Sequence, residues 1–167
     1  VEAILATMTP ADRVGQLFVV TFEGADVGID TDIAELILGY RVGGVVLSPR
    51  NLNFSNERGV DTPTQVATLA NRLQAAAYGI TLPADRALDP MPIAPWPPNG
   101  YERLDAKAGT QPINIPLLMG VAQLGDGMPG TALRRGFTPL PSQMAIGATW
   151  TPDLAQRTGE VVGRELN

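Results

Sequence analysis

The sequence predicts an α/β fold built on parallel strands, and three observations carry that expectation. Helical stripes alternate along the chain with short β-branched runs, the order that places helices between parallel strands joined by right-handed crossovers. One run, Gly43-Gly44-Val45-Val46-Leu47-Ser48, is apolar without alternation, as expected of a strand covered on both faces. Another, Ile115 to Val121, leads into a polar, glycine-rich loop followed by two arginines, and loops at strand ends are where such folds carry their sites.

The elements follow in order. Thr9-Pro10-Ala11-Asp12 reads as the start of a short helix, with a hydroxyl to cap free amides, a proline preset for the first turn and an acid that favours the helix dipole. Leu17 to Phe22 is a β-branched and aromatic run without helical period, and is expected to be the first strand. Asp30 or Thr31 can cap a second helix in which Ile33, Leu36, Ile37 and Tyr40 fall on one stripe, with Gly39 weakening its last turn. Gly43 to Ser48 is the second strand, stopped by Pro49. Thr62-Pro63-Thr64-Gln65 matches a capping box, and Val66, Leu69, Ala70, Leu73 and Ala77 mark the buried face of a third helix closed by Gly79.

From Thr81 to Pro116 the periodicity disappears. Eight of the chain's 15 prolines gather there, which excludes a long helix or a central strand. The stretch of about 81–115 is expected to be a surface insertion in which Trp96 covers apolar surface; a rim offering Trp96 or Tyr101 to a ligand is the alternative. After the third strand and its loop, Thr151-Pro152-Asp153 opens a last helix with Leu154, Thr158, Val161 and Val162 on one side. Trp150, just before it, follows a run of small residues and is expected in the core rather than as a platform for a ligand.

Composition narrows function. The chain has 167 residues, 12 basic against 17 acidic, and a net charge of −5 without any basic run, so a phosphate backbone is repelled and nucleic acid is not an expected partner. Cysteine and histidine are both absent. Disulfides and thiolate metal sites are thereby excluded, the commonest general base is missing, and carboxylates are left for acid–base work. No metal or other cofactor is expected. The apolar runs fall well short of the roughly 18 residues needed to span a bilayer, so no membrane span is expected. Val1 follows no methionine or signal-like segment, as in a processed or excised piece. Asn53-Phe54-Ser55 is a glycosylation sequon short enough to arise by chance.

Gly125-Asp126-Gly127-Met128-Pro129-Gly130 formally matches the G-x-G-x-x-G dinucleotide fingerprint. The helix that should start inside the motif is missing, because Pro129 interrupts it and Gly136 and Pro139 follow. A glycine-rich turn without a phosphate is the better reading.

Several separated segments, in order, carry a more specific resemblance. Asp12-Arg13-Val14-Gly15-Gln16-Leu17-Phe18, Val42-Gly43-Gly44-Val45-Val46-Leu47, Pro116-Leu117-Leu118, Gly136-Phe137-Thr138-Pro139-Leu140-Pro141-Ser142, Met144-Ala145-Ile146-Gly147-Ala148-Thr149 and Gly159-Glu160-Val161-Val162-Gly163-Arg164-Glu165-Leu166 together resemble the N-terminal barrel domain of glycoside hydrolase family 3. The likeness spans most of residues 8–167 apart from the proline-rich stretch. A (β/α)₈ barrel takes about 250 residues. The residues alone leave a small open α/β domain or a half barrel; the resemblance implies the (β/α)₈ TIM-barrel type, of which this chain would be roughly the first half.

The resemblance further implies a retaining hydrolase of β-linked sugars such as N-acetylglucosaminides or glucosides, working through a glycosyl-aspartate, with no catalytic residue in this chain. The family's nucleophile lies downstream of the matching segments, and its acid comes from a histidine dyad or a later domain. The site loop departs from the family pattern. Ala122 stands where the family has an acid that receives sugar hydroxyls, Leu124 where it has a glutamate, and Gly125-Asp126 where it has two glycines. Asp126 is the candidate replacement. Arg134 or Arg135 is similar to the family's sugar-binding arginine, with solvated surface charge as the alternative for both, and Gln123 divides between ligand contact and loop hydrogen bonding. The expected partners are a carbohydrate and the remainder of the barrel or a complementary chain, because a half barrel leaves two sheet edges open. A non-catalytic carbohydrate-binding or assembly subunit derived from the same family is the second reading.

Overall fold

The structure, a computed structural model, describes residues 2–82, 102–103, 115–125 and 130–166. Its centre is a parallel sheet of three strands, β1 (Val19–Val20), β2 (Gly44–Leu47) and β5 (Leu118–Val121), in the order β1-β2-β5. Val19 pairs with Gly44, and Gly44 in turn with Leu118, so β2 is bonded on both sides. The parallel α/β expectation is met; among the described residues the sheet is open, with β1 and β5 as its edges. β2 is the strand most fully covered, with Val45 and Leu47 in the core.

Around it lie helices α1 (Glu2–Thr7), α2 (Pro10–Gly15), α3 (Asp32–Leu38), α4 (Thr62–Ala77), α5 (Gln143–Ala148) and α6 (Pro152–Glu165). The α2 start is a complete capping box: the Thr9 hydroxyl accepts from the Asp12 amide and the Asp12 carboxylate accepts from the Thr9 amide. Thr31, rather than Asp30, caps α3. That helix ends at Leu38, so Tyr40 falls outside the stripe and is exposed, while Ile33 and Ile37 are buried with Ala34 and Leu38.

The α4 start differs from its expected form by one residue. Asp61 is the cap, accepting from the Thr64 amide at 3.2 Å. Thr62 and Gln65 serve the preceding loop instead: the Thr62 hydroxyl donates to the Ser55 carbonyl at 2.7 Å, and the Gln65 side-chain oxygen accepts from the Ser55 amide at 3.0 Å. A buried hydroxyl goes to the strongest fixed acceptor within reach, and a neighbouring aspartate can take over the cap. Leu69, Leu73 and Ala77 are buried as their spacing predicts, and Gly79 closes the helix at φ +67°.

The first strand is shorter than its sequence suggests. Leu17 and Phe18 bond back to Val14 and Gly15 as the tail of α2, and both are exposed, Leu17 at 82%. With a partner on one side alone, β1 lacks the cover its composition calls for. Two short strands were not legible in the sequence: β3 (Ile80–Thr81) pairs antiparallel with β4 (Glu102–Arg103), so the proline-rich stretch holds at least one strand. Trp96 and Tyr101 lie outside the described residues.

At the N-terminal end of the sheet, backbones pass so closely that side chains cannot fit. A Cβ on Gly43 would lie 2.2 Å from the Gln16 carbonyl oxygen. The Gln16 amide then donates to the Arg41 carbonyl at 2.8 Å, tying α2 to the entry of β2.

Trp150 was expected in the core and is 93% exposed, at φ +54° between α5 and α6. It occupies the left-handed position that ends α5, where its amide closes on the Gly147 carbonyl. Neither α5 nor α6 contains a buried residue. Thr158, Val161 and Val162 are half-buried and Leu154 is exposed, so the expected stripe exists without a packed partner among the described residues.

Candidate functional site at the strand tips

In parallel α/β folds the C-terminal ends of the strands form the binding edge. Here that edge is built by three carboxamides that fix loop backbone. Asn53, 2% exposed, accepts from the Ser48 amide at 2.9 Å and donates to the carbonyls of Phe22 and Gly24 at 3.1 and 2.7 Å, joining the exits of β1 and β2. Its amide nitrogen is committed twice inside the protein, which leaves the sequon without an accessible acceptor. Gln123, just past β5, donates to the Leu133 carbonyl at 3.0 Å and accepts from the Leu133 amide at 3.3 Å. Asn56 accepts from the amides of both Arg134 and Arg135 at 3.1 Å and donates to the Ala132 carbonyl at 2.8 Å.

These clamps surround a groove of about 400 Å³ lined by Ser48, Pro49 and Arg50 from the exit of β2, Ala122 from the exit of β5, and Gly130, Thr131, Ala132 and Arg134 from the returning loop. A smaller hollow of about 170 Å³ adjoins it and shares Thr131 and Arg134. The first volume falls in the roughly 300–1,000 Å³ range of small-molecule sites. Thr131 is buried and donates to the Gly125 carbonyl at 2.9 Å, closing the base of the loop. A Cβ on Gly125, at φ +77°, would lie 2.5 Å from the Pro141 carbonyl oxygen, so glycine is required there.

The residues singled out from the sequence separate here. Arg134 lines both hollows. Arg135 is turned away, its Nε donating to the Val60 carbonyl at 3.1 Å. Gln123 lines the smaller hollow while both ends of its amide are engaged with Leu133. Asp126 lies outside the described residues. Ala122 and Leu124, at the places where acids were expected, are both exposed. Arg50, Asn53 and Asn56 were missed. The signal was present as three asparagines, Asn51, Asn53 and Asn56, in six residues directly after a strand, since asparagine there commonly bonds turn backbone.

No family model matches the chain, and no curated protein does. Among solved structures it is similar to a glycoside hydrolase family 3 β-N-acetylglucosaminidase from Paenibacillus sp. str. FPU-7, with a TM-score of 0.62 and 29% identity. The α/β body matches part of that enzyme. The likeness covers 96% of this chain and 22% of the other, so the chain spans about a fifth of the length of the protein it resembles.

A larger hollow of about 570 Å³ lies away from this edge, between α2, the start of β1 and α3. Its charged pair, Asp12 and Arg41, is internally matched at 3.7 Å. Asp12 is held below the ordinary carboxylate range by its bond from the Thr9 hydroxyl, with the Thr9 amide and the Arg41 charge adding to it against the effect of burial; burial lowers the Arg41 value while Asp12 opposes that. Among the described residues, no three His, Cys, Asp or Glu side chains gather as metal ligands would, and no helix is long and apolar enough to cross a membrane.

Proposed function

We propose that this chain is a portion of a family 3-type glycoside hydrolase barrel, supplying part of the sugar-binding edge and not the catalytic nucleophile. The observation that carries the reading is the combined likeness in fold and sequence to a family 3 β-N-acetylglucosaminidase over nearly the whole chain, at 29% identity. The groove at the tips of β2 and β5 supports it, because that edge is where a barrel enzyme binds its substrate. Arg134 is the residue assigned to sugar contact, and Asp126 is retained as the carboxylate that replaces the one absent at Ala122. Gln123 and Arg135 hold the loop that carries Arg134.

Hydrolysis with retention requires a nucleophilic carboxylate and a separate group that protonates the leaving oxygen, and this reading takes both from elsewhere in the barrel. The partner that completes the site is the remainder of the barrel or a complementary chain, which would cover the open edges of β1 and β5 and the apolar side of α6. The test is incubation of the 167-residue chain with chromogenic β-glucosides and β-N-acetylglucosaminides. No turnover is expected; clear hydrolysis by the pure chain would refute the assignment. A non-catalytic carbohydrate-binding or assembly subunit is the second reading, favoured by Ala122 in the groove wall, where a sugar-accepting carboxylate is expected. Restoring Asp at position 122 in a chain assembled with its barrel partner separates the two, since a hydrolase scaffold gains turnover and a binding subunit gains affinity alone.

A further inference from the structure

We infer that the groove between β2 and β5 accepts a sugar ring bearing an oxyanion, a carboxylate or a phosphate, in preference to a neutral ring. The inference rests on the carbohydrate-binding reading above and narrows its substrate class. It starts from the lining. The side chains with polar groups are Ser48, Arg50, Thr131 and Arg134, and no aspartate or glutamate lines the groove among the described residues. A neutral ring offers hydroxyl donors that need acceptors, and a guanidinium has none. Two guanidinium groups fit a compact oxyanion, whose oxygens take paired N–H bonds from a planar fork.

The charges are also locally unbalanced. The chain is acidic by five charges, yet this groove gathers two arginines. The ion pairs among the described residues are Arg41 with Asp12 and Arg72 with Asp26, and neither groove arginine takes part in one. Ala122 in the wall supplies no carboxylate in their place, and the one proposed for Asp126 would balance only one of the two charges.

Both arginines are presented by fixed backbone. The Arg134 amide is held by Asn56, whose other end holds Ala132. Arg50 sits in a short 3₁₀ turn, Pro49–Asn51, where the Ser48 hydroxyl accepts from the Arg50 amide at 3.2 Å and buried Asn53 holds the Ser48 amide. Such anchoring lowers the ordering cost on binding.

The experiment is saturation-transfer NMR on the 167-residue chain, with methyl β-glucuronide, methyl β-glucoside 6-phosphate, methyl β-glucoside and acetate as separate probes. A charge-assisted bond is worth about 1.5–3 kcal/mol, so the charged glycosides should bind roughly 10- to 100-fold tighter than the neutral one. Their affinity should fall as salt is raised. Arg50→Ala and Arg134→Ala should each remove most of that preference, whereas Arg157→Ala on α6 leaves it intact; circular dichroism confirms that the variants fold. The tighter of the two charged glycosides identifies the oxyanion. Equal binding of the neutral glucoside overturns the inference and leaves the carbohydrate reading standing. Acetate binding as tightly as the glucuronide also overturns it, as a simple anion site. If no glycoside binds, both readings fall.

Discussion

The α3–β2–α4 body and the α5–α6 hairpin have similarly amphipathic sequences and opposite fates. In the body, Ile33, Val45 and Leu73 are at most 2% exposed. In the hairpin nothing is buried, and Met144 and Trp150 are 85% and 93% exposed. The difference teaches that periodicity specifies a face, while burial needs a second surface to meet it. α3 and α4 find the sheet and each other, whereas α6 is held to the described body through its end, where Glu165 accepts from the amide and hydroxyl of Thr138.

The largest expected effect sharpens that contrast directly. Leu73→Ala empties a fully buried position and should cost about 2–5 kcal/mol, read as a drop in the urea midpoint. Leu154→Ala removes the same atoms from an exposed position of α6 and should stay within about 0.5 kcal/mol. Comparable losses at the two sites would show that α6 is packed in solution, and would break the comparison.

A second contrast separates the two loops at the strand tips. Asn53 is buried with three internal bonds, whereas Asn56 is only half-buried and holds the arginine loop. Asn53→Ala leaves the Ser48 amide and two carbonyls short of partners and should cost about 1–3 kcal/mol by the same denaturation measurement. It should also loosen Arg50, detectable as faster hydrogen exchange at residues 48–52. A change confined to stability, with exchange there unaltered, would detach Asn53 from the site.

The parts of the molecule legible in its sequence were those governed by local pattern. The stripe of α4, the α2 cap at Thr9 and Asp12, and the continuous apolar run of β2 each report an interaction within a few residues. What was missed depended on distant partners. Thr62 reads as a cap until Ser55 is brought beside it, and Trp150 reads as core until the hairpin is seen to project. Gln123 gave no sign that Leu133 would take both ends of its amide. In the groove, Arg134 was legible as a candidate because it follows the third strand within one contiguous segment. Arg50 was not, because only the parallel pairing of β2 with β5 sets positions 50 and 134 on the same groove.

The smallest expected effect concerns acid, and it too falls on the body. Asp12 and Asp61 both sit at helix starts, and both titrate below their ordinary value: Asp12 through the Thr9 hydroxyl first, then the Thr9 amide and Arg41, and Asp61 through the Thr64 hydroxyl and amide. A carboxyl whose folded value is depressed contributes stability above its unfolded value of about 3.9, and that contribution is lost as pH falls through the folded value. Wild type should therefore exceed Asp12→Asn in thermal midpoint near pH 6. The gap should close as pH is lowered below about 4, because the protonated acid and the amide carry the same charge beside Arg41. α6 starts at Thr151, whose side chain makes no cap bond, so the acid-sensitive loss should appear in amide protection of α2 and α4 and not in that of α6. A gap between the two proteins that stays constant down to pH 3 would mean that the Thr9–Asp12 box acts by geometry alone, and that the charge on Asp12 adds nothing to holding the body together.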